Sequence, residues 1–179
     1  MNTTVTRTAR ALACLLFASL ALSAAPAEAK PVRTPGRFGL GIGSGTMANG
    51  LSAKYFAAKE HALQFNLGVF GGGGIDNRWR RFGGLGLSAD YLFEMPTLVK
   101  AGQAFELAWN VGAGIGIGLD DDDRGDDFFA LAASFVLGLE FNFIPVPIDI
   151  VLEYRPGLLL TPDVDFDAVD FTGHIRFYF

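Results

Sequence analysis

The chain has 179 residues, 14 Lys and Arg against 19 Asp and Glu, and is half apolar with 13% aromatics. A net charge of −5 argues against nucleic acid as a partner, and the single cysteine, Cys14, excludes an internal disulfide framework. Mean hydropathy is positive at +0.32, yet no segment after residue 30 is a continuous apolar stretch of the ~20 residues that a membrane helix needs.

The first elements read as an export address. Arg7 and Arg10 precede an apolar run from Ala11 to Leu22, and small residues follow as far as Ala29. The run is too short for a spanning helix. Cleavage is expected after Ala27-Glu28-Ala29, which would start the mature chain at Lys30; a cut after Ala25 is the alternative. Residues 1–29 are therefore set aside as a signal peptide and 30–36 as a short N-terminal segment. Removing Arg7, Arg10 and Glu28 leaves 12 basic and 18 acidic residues, a net charge of −6. Cys14 leaves with the leader, so the mature chain has no thiol.

From residue 37 the dominant signal is period-two alternation, which puts successive side chains on opposite faces of a strand. It recurs eight times. Segments at 37–44, 51–57, 62–70 and 82–93 carry Phe38/Leu40/Ile42, Leu51/Ala53/Tyr55, Leu63/Phe65/Leu67/Val69 and Leu85/Leu87/Ala89/Tyr91 on one face. The fifth sets Phe105, Leu107, Trp109, Val111, Ala113, Ile115 and Ile117 against a face with Gly112, Gly114, Gly116 and Gly118. The sixth, 129–143, is the cleanest. The seventh runs from Ile148 to Leu158, and Pro156 within it removes a ladder hydrogen bond, so a bulge or early end is expected there. The eighth sets Val169, Phe171, Gly173, Ile175, Phe177 and Phe179 against Asp170, Thr172, His174, Arg176 and Tyr178. Strands that alternate in this way, behind an export signal, predict an all-β fold: an eight-stranded antiparallel up-and-down transmembrane β-barrel over 37–179.

Such barrels have short periplasmic turns and longer outer loops. With the N-terminus periplasmic, the turns fall at 58–61, 94–102 and 144–147, and the outer loops at 45–50, 71–81, 120–127 and 160–167. The same orientation gathers Phe38, Tyr55, Tyr91, Phe93, Phe105, Phe141, Phe143, Phe177 and Phe179 at one rim. Phe70, Phe82 and Phe129 are assigned to the other, as interfacial aromatics favour.

Several constellations carry candidate chemistry. The inward face collects Lys54, Asp90, Glu106, Glu140, Glu153, Arg155, His174 and Arg176, and buried ions need partners, so a lumen charge network is expected. A catalytic alternative pairs His174 with Glu153 or Glu140, but no recognisable nucleophile motif surrounds Ser52, Ser88 or Ser134. Asp120, Asp121, Asp122, Asp123, Asp126 and Asp127 crowd one loop, where hard oxygen ligands would suit loosely bound Ca²⁺ or Mg²⁺. A solvated acidic loop is the plainer alternative, and position 12 from Asp120 is Leu131, not the glutamate of an EF-hand. Arg124-Gly125-Asp126 spells an adhesion tripeptide, on its own a weak signal. Arg78, Arg80 and Arg81 flank Trp79, a set suited to lipid phosphates at the membrane interface or to ordinary loop charge. The glycine runs lack the lysine and following helix of a nucleotide loop.

Together these strands, the export signal and the segment from Phe171 to Phe179 resemble the small OmpA/OmpX-type outer-membrane barrels. The resemblance covers 37–179. It implies a C-terminal assembly signal at Phe171, Ile175, Phe177 and Phe179, read by the barrel-assembly machinery, with Gly173 departing from the pattern. The expected protein is a monomer among outer-membrane lipids with a structural or surface-interaction role. A small-solute channel and a lipid-modifying enzyme are the alternatives. A soluble lipid-carrying barrel is the rival at the level of the fold; it would turn the apolar face inward.

Overall fold

The computed structural model describes residues 31–71, 83–121 and 127–179; the expected leader, 1–29, lies outside the described residues. The strands are β1 (Phe38–Gly45), β2 (Ala48–Ala58), β3 (His61–Phe70), β4 (Gly83–Glu94), β5 (Val99–Ala101), β6 (Phe105–Asp121), β7 (Asp127–Phe143), β8 (Ile148–Tyr154), β9 (Gly157–Thr161), β10 (Asp165–Asp167) and β11 (Phe171–Tyr178). All pairings are antiparallel. β11 returns to β1, with Gly41 opposite Arg176 and Ile42 opposite Ile175, and this closes the sheet on itself. β8 and β9 form one interrupted wall strand, and β5 and β10 are short additions, so the wall is an eight-stranded up-and-down barrel.

The alternation determines what each side of the wall meets. Ile42, Ile115 and Leu152 point outward and are 59%, 58% and 54% exposed, whereas Lys54, Glu140 and Glu153 point inward and are fully buried. Polar side chains fill the interior and apolar ones coat the exterior. This overturns the carrier arrangement, which needs the faces reversed.

The segment 31–37 and Phe179 lie at one end, here the terminal mouth. The Phe179 amide donates to the Phe38 carbonyl at 2.9 Å, and Arg37 Nη2 donates to the Tyr178 carbonyl at 3.0 Å. Val32, Phe56, Ala62, Leu92, Val136 and Tyr178 pack together there. At the far mouth Met47, Phe70, Ala130 and Ala132 form a second apolar cluster, with Leu159 against it.

The far mouth departs from expectation in three places. The predicted loop at 45–50 is a two-residue turn, since Gly45 pairs with Ala48, and Met47 closes it with φ +64°. Its tip bends inward, burying Thr46, Met47 and Ala48. Two glycines make room for the bend: a Cβ on Gly86 would stand 2.3 Å from the Met47 carbonyl oxygen and one on Gly116 2.1 Å from that of Thr46. Second, Phe70 is not an outer-rim aromatic. Phe70 holds the inward parity of Ala62, Gln64 and Asn66 on β3, and it packs in the lumen beside Met47. Third, the connection at 160–167 holds β10, which pairs back on β9 with Phe166 opposite Leu158.

Pro156 interrupts the seventh wall strand, because it supplies no amide to the ladder. Its carbonyl still accepts from Phe135 N at 3.0 Å, and Arg155 N turns to the Asp170 carbonyl at 2.8 Å. The connection expected at 94–102 is long because it contains β5, which folds back with Val99 opposite Leu107.

Candidate functional site

The chemistry of this chain is concentrated in the lumen, where strands on opposite sides of the ring bring ionised groups together. Nearest the terminal mouth, Lys54 on β2 sits between two carboxylates. Its Nζ is 2.7 Å from Glu94 Oε1 and also bonded to Glu140 Oε1. Asn110 Nδ2 donates to the same Glu140 oxygen at 2.6 Å. Arg33 reaches in from the N-terminal segment, with Nη2 2.5 Å from Glu94 Oε2 and Nε 2.9 Å from Glu140 Oε2. Its Nη1 and Nη2 also donate to the carbonyls of Met95 and Trp109, at 2.6 and 2.7 Å. Burial pulls the Arg33 pKa down, but Glu140 and Glu94 outweigh it and hold the guanidinium above its ordinary value.

At the same end Arg176 spans Asp149, with Nη2 2.8 Å and Nε 3.1 Å from its two oxygens. Tyr178 donates to Asp149 at 2.7 Å, and Arg176 Nη1 donates to Gln64 Oε1. Gln64 then passes its own amide protons to Asp90 and Glu153, at 3.0 and 3.1 Å. Arg155 forks onto both oxygens of Asp90, at 3.0 and 2.7 Å. Its Nε reaches Glu153 at 2.7 Å, and its Nη1 donates to the Thr46 hydroxyl at 3.2 Å. Thr46 and Ser134 share a hydrogen bond of 2.6 Å, which ties the inserted hairpin tip into the same network. The polar stack therefore runs from one apolar cluster to the other.

Ser52, His174 and Glu153 form a relay within this stack. Ser52 Oγ lies 2.8 Å from His174 Nδ1, and His174 Nε2 lies 2.9 Å from Glu153 Oε2. The connectivity is that of an acyl-transfer triad. A nucleophile also needs space beside its oxygen for the carbon it attacks, and Ser52 is completely enclosed. Glu153 is further occupied by Arg155, Gln64 and Thr172. The relay thus has the bonding of a structural strut.

Of the expected lumen charges, Lys54, Asp90, Glu140, Glu153, Arg155, His174 and Arg176 all meet in this network. Glu106 does not. It pairs with Lys100 at 2.8 Å across β5 and β6, and the Lys100 side chain is 66% exposed; β4 ends opposite Asn110, and at Glu106 β6 is paired with β5 instead. Sequence reasoning missed Arg33, Glu94 and Asp149. Asp149 and Glu94 hold the inward parity of Glu153 and Asp90, which was the available signal, while Arg33 lies in no periodic segment. Phe171, Ile175 and Phe179 face outward and are exposed, and the Phe177 and Phe179 rings meet edge to face at 5.2 Å. Of the acidic run, Asp120, Asp121 and Asp127 belong to β6 and β7 by backbone, with Asp121 opposite Asp127. Asp122, Asp123 and Asp126, and the set Arg78, Trp79, Arg80 and Arg81, lie outside the described residues. Among the described residues no group of three or more metal-ligating side chains converges.

Fold and site together define a closed eight-stranded barrel with an ion-paired interior and an apolar exterior. Comparison with family models, with curated proteins and with solved structures returns no match.

Proposed function

We propose that the mature chain is an outer-membrane β-barrel with a sealed lumen, serving as a rigid scaffold that holds its far-mouth connections at the cell surface. The observation that carries this reading is the inverted polarity of the wall. An exterior coated with exposed Ile, Leu, Val and Phe around fully buried Lys, Arg, Asp and Glu is stable only where the surroundings are less polar than the interior. No helix among the described residues is long and apolar enough to cross a membrane, so strands would make the crossing. At the terminal rim Tyr91 and Phe93 pack around His61 with ring centroids 5.8 and 5.4 Å apart, which suits the periplasmic interface. The terminal aromatics of β11 would be read by the barrel-assembly machinery before the strand closes against β1.

Sealing follows from size and filling. Eight strands enclose room only for side chains, and here Val32 and Arg33 fill one mouth while the β1–β2 turn bends into the other. In a Gram-negative host the full chain is expected in the outer-membrane fraction, with a band that changes mobility on boiling. A soluble periplasmic product without heat-modifiable migration would overturn the reading.

A further inference from the structure

The wall strands alone leave the terminal mouth short of positive charge. Buried in the lumen are the carboxylates of Asp90, Glu94, Asp149, Glu140 and Glu153, against the cations Lys54, Arg155 and Arg176. Arg176 is matched by Asp149, and Arg155 is engaged higher up by Asp90 and Glu153. At the mouth, then, one ammonium faces two carboxylates, and like charges so close and so buried are stabilised as a pair by a second cation.

The chain fills this place with a residue that is not part of the wall. Glu94 and Met95 at the end of β4, Trp109 on β6 and Glu140 on β7 present two carboxylates and two backbone carbonyls to one planar fork. A guanidinium, with five donors in a plane, donates to Glu140 and both carbonyls and ion-pairs with Glu94 at 2.5 Å; an ammonium, a compact point charge, cannot span them. Neighbouring residues hold the segment in place. Val32 is buried among Phe56, Ala62, Leu92, Val136 and Tyr178. Gly36 N donates to the Phe56 carbonyl at 2.8 Å, and Phe56 N donates to the Arg37 carbonyl at 3.1 Å.

We propose that the terminal mouth is a guanidinium-binding site that the chain occupies with its own Arg33, and that the same cradle takes an added guanidinium cation once Arg33 is removed. This goes beyond the sealed-barrel reading and does not depend on where the protein resides, since the cradle is built from wall residues alone.

Chemical rescue of the whole mature chain carrying Arg33→Ala, folded in detergent micelles, tests it. Ethylguanidinium at millimolar concentration should raise the melting temperature saturably, by about 3 °C if occupancy restores about 1 kcal/mol. The wild type, its site already filled, should not move. Ethylammonium at equal concentration should give no saturable rise, and the double variant Arg33→Ala, Glu94→Gln should lose most of the response. An equal response in wild type, an equal response to ethylammonium, or no response in Arg33→Ala would each overturn the proposal. Should Arg33→Ala fail to fold unaided, the same probe is added during refolding. Recovery of the heat-modifiable band with ethylguanidinium alone then supports the site, and failure to recover it overturns the site.

Discussion

The two mouths of this barrel are closed by different physics. At the terminal mouth a segment outside the wall inserts Val32 and Arg33, and the closure is ionic: a guanidinium between Glu94 and Glu140. At the far mouth the wall folds its own β1–β2 turn inward, and the closure is steric: the carbonyls of Thr46 and Met47 lie against Gly116 and Gly86 at distances no Cβ would allow. The first depends on charge and the second on the absence of side chains. Each type of closure therefore has its own sensitive residues.

The largest effect is expected where charge is withdrawn from the ionic end. Glu140→Ala leaves Lys54 and Arg33 with Glu94 alone, and stripping one partner from a buried ion group should cost about 3–5 kcal/mol, read as a lower denaturant midpoint for loss of the heat-modifiable band. At the steric end Gly86→Val should cost about 1–3 kcal/mol, the usual penalty for overpacking. It should also expose Met47, so oxidation of that methionine by peroxide should accelerate. If Gly86→Val leaves both midpoint and oxidation unchanged, the far closure is not steric.

A smaller effect is expected from Asp170, between β10 and β11. Burial first, and the neighbouring Asp167 carboxylate second, push its carboxyl up to about 6 against an opposing pull from Arg155. An acid raised in the folded state favours folding while protonated. That benefit is complete below the ordinary aspartate range and is lost as pH rises through about 6. Protease resistance of the β9–β10 hairpin should accordingly fall between about pH 4 and about pH 6, and Asp170→Asn should flatten the profile. The smallest effect belongs to Lys100→Ala. Its exposed pairing with Glu106 should contribute less than about 1 kcal/mol, and a larger loss would return Glu106 to the lumen network.

The same contrast separates what the sequence revealed from what it concealed. Wall strands were legible because one face carries apolar side chains and the other lines a charged lumen, so Leu107, Trp109, Val111 and Ala113 announce β6 without knowledge of its neighbours. Lumen charges were legible for the same reason: Lys54, Glu140, Glu153 and Arg176 sit at inward parity in periodic segments. Both mouth closures were hidden. Arg33 lies among prolines and threonine with no period, and only the folded ring brings Glu94 and Glu140 within its reach. Gly116 reads as one of the small residues lining its strand, and nothing local tells that it and Gly86 receive the turn at Thr46 and Met47. Phe70 misled because its aromatic ring at a strand end suggested an interface, although its parity is the inward one of Ala62, Gln64 and Asn66.

The central claim, that both closures hold at once and the lumen is sealed, is tested most directly by recording purified wild-type protein in planar lipid bilayers. The bilayer should remain electrically silent under an applied potential. Discrete conductance steps that scale with the amount of inserted protein would contradict it.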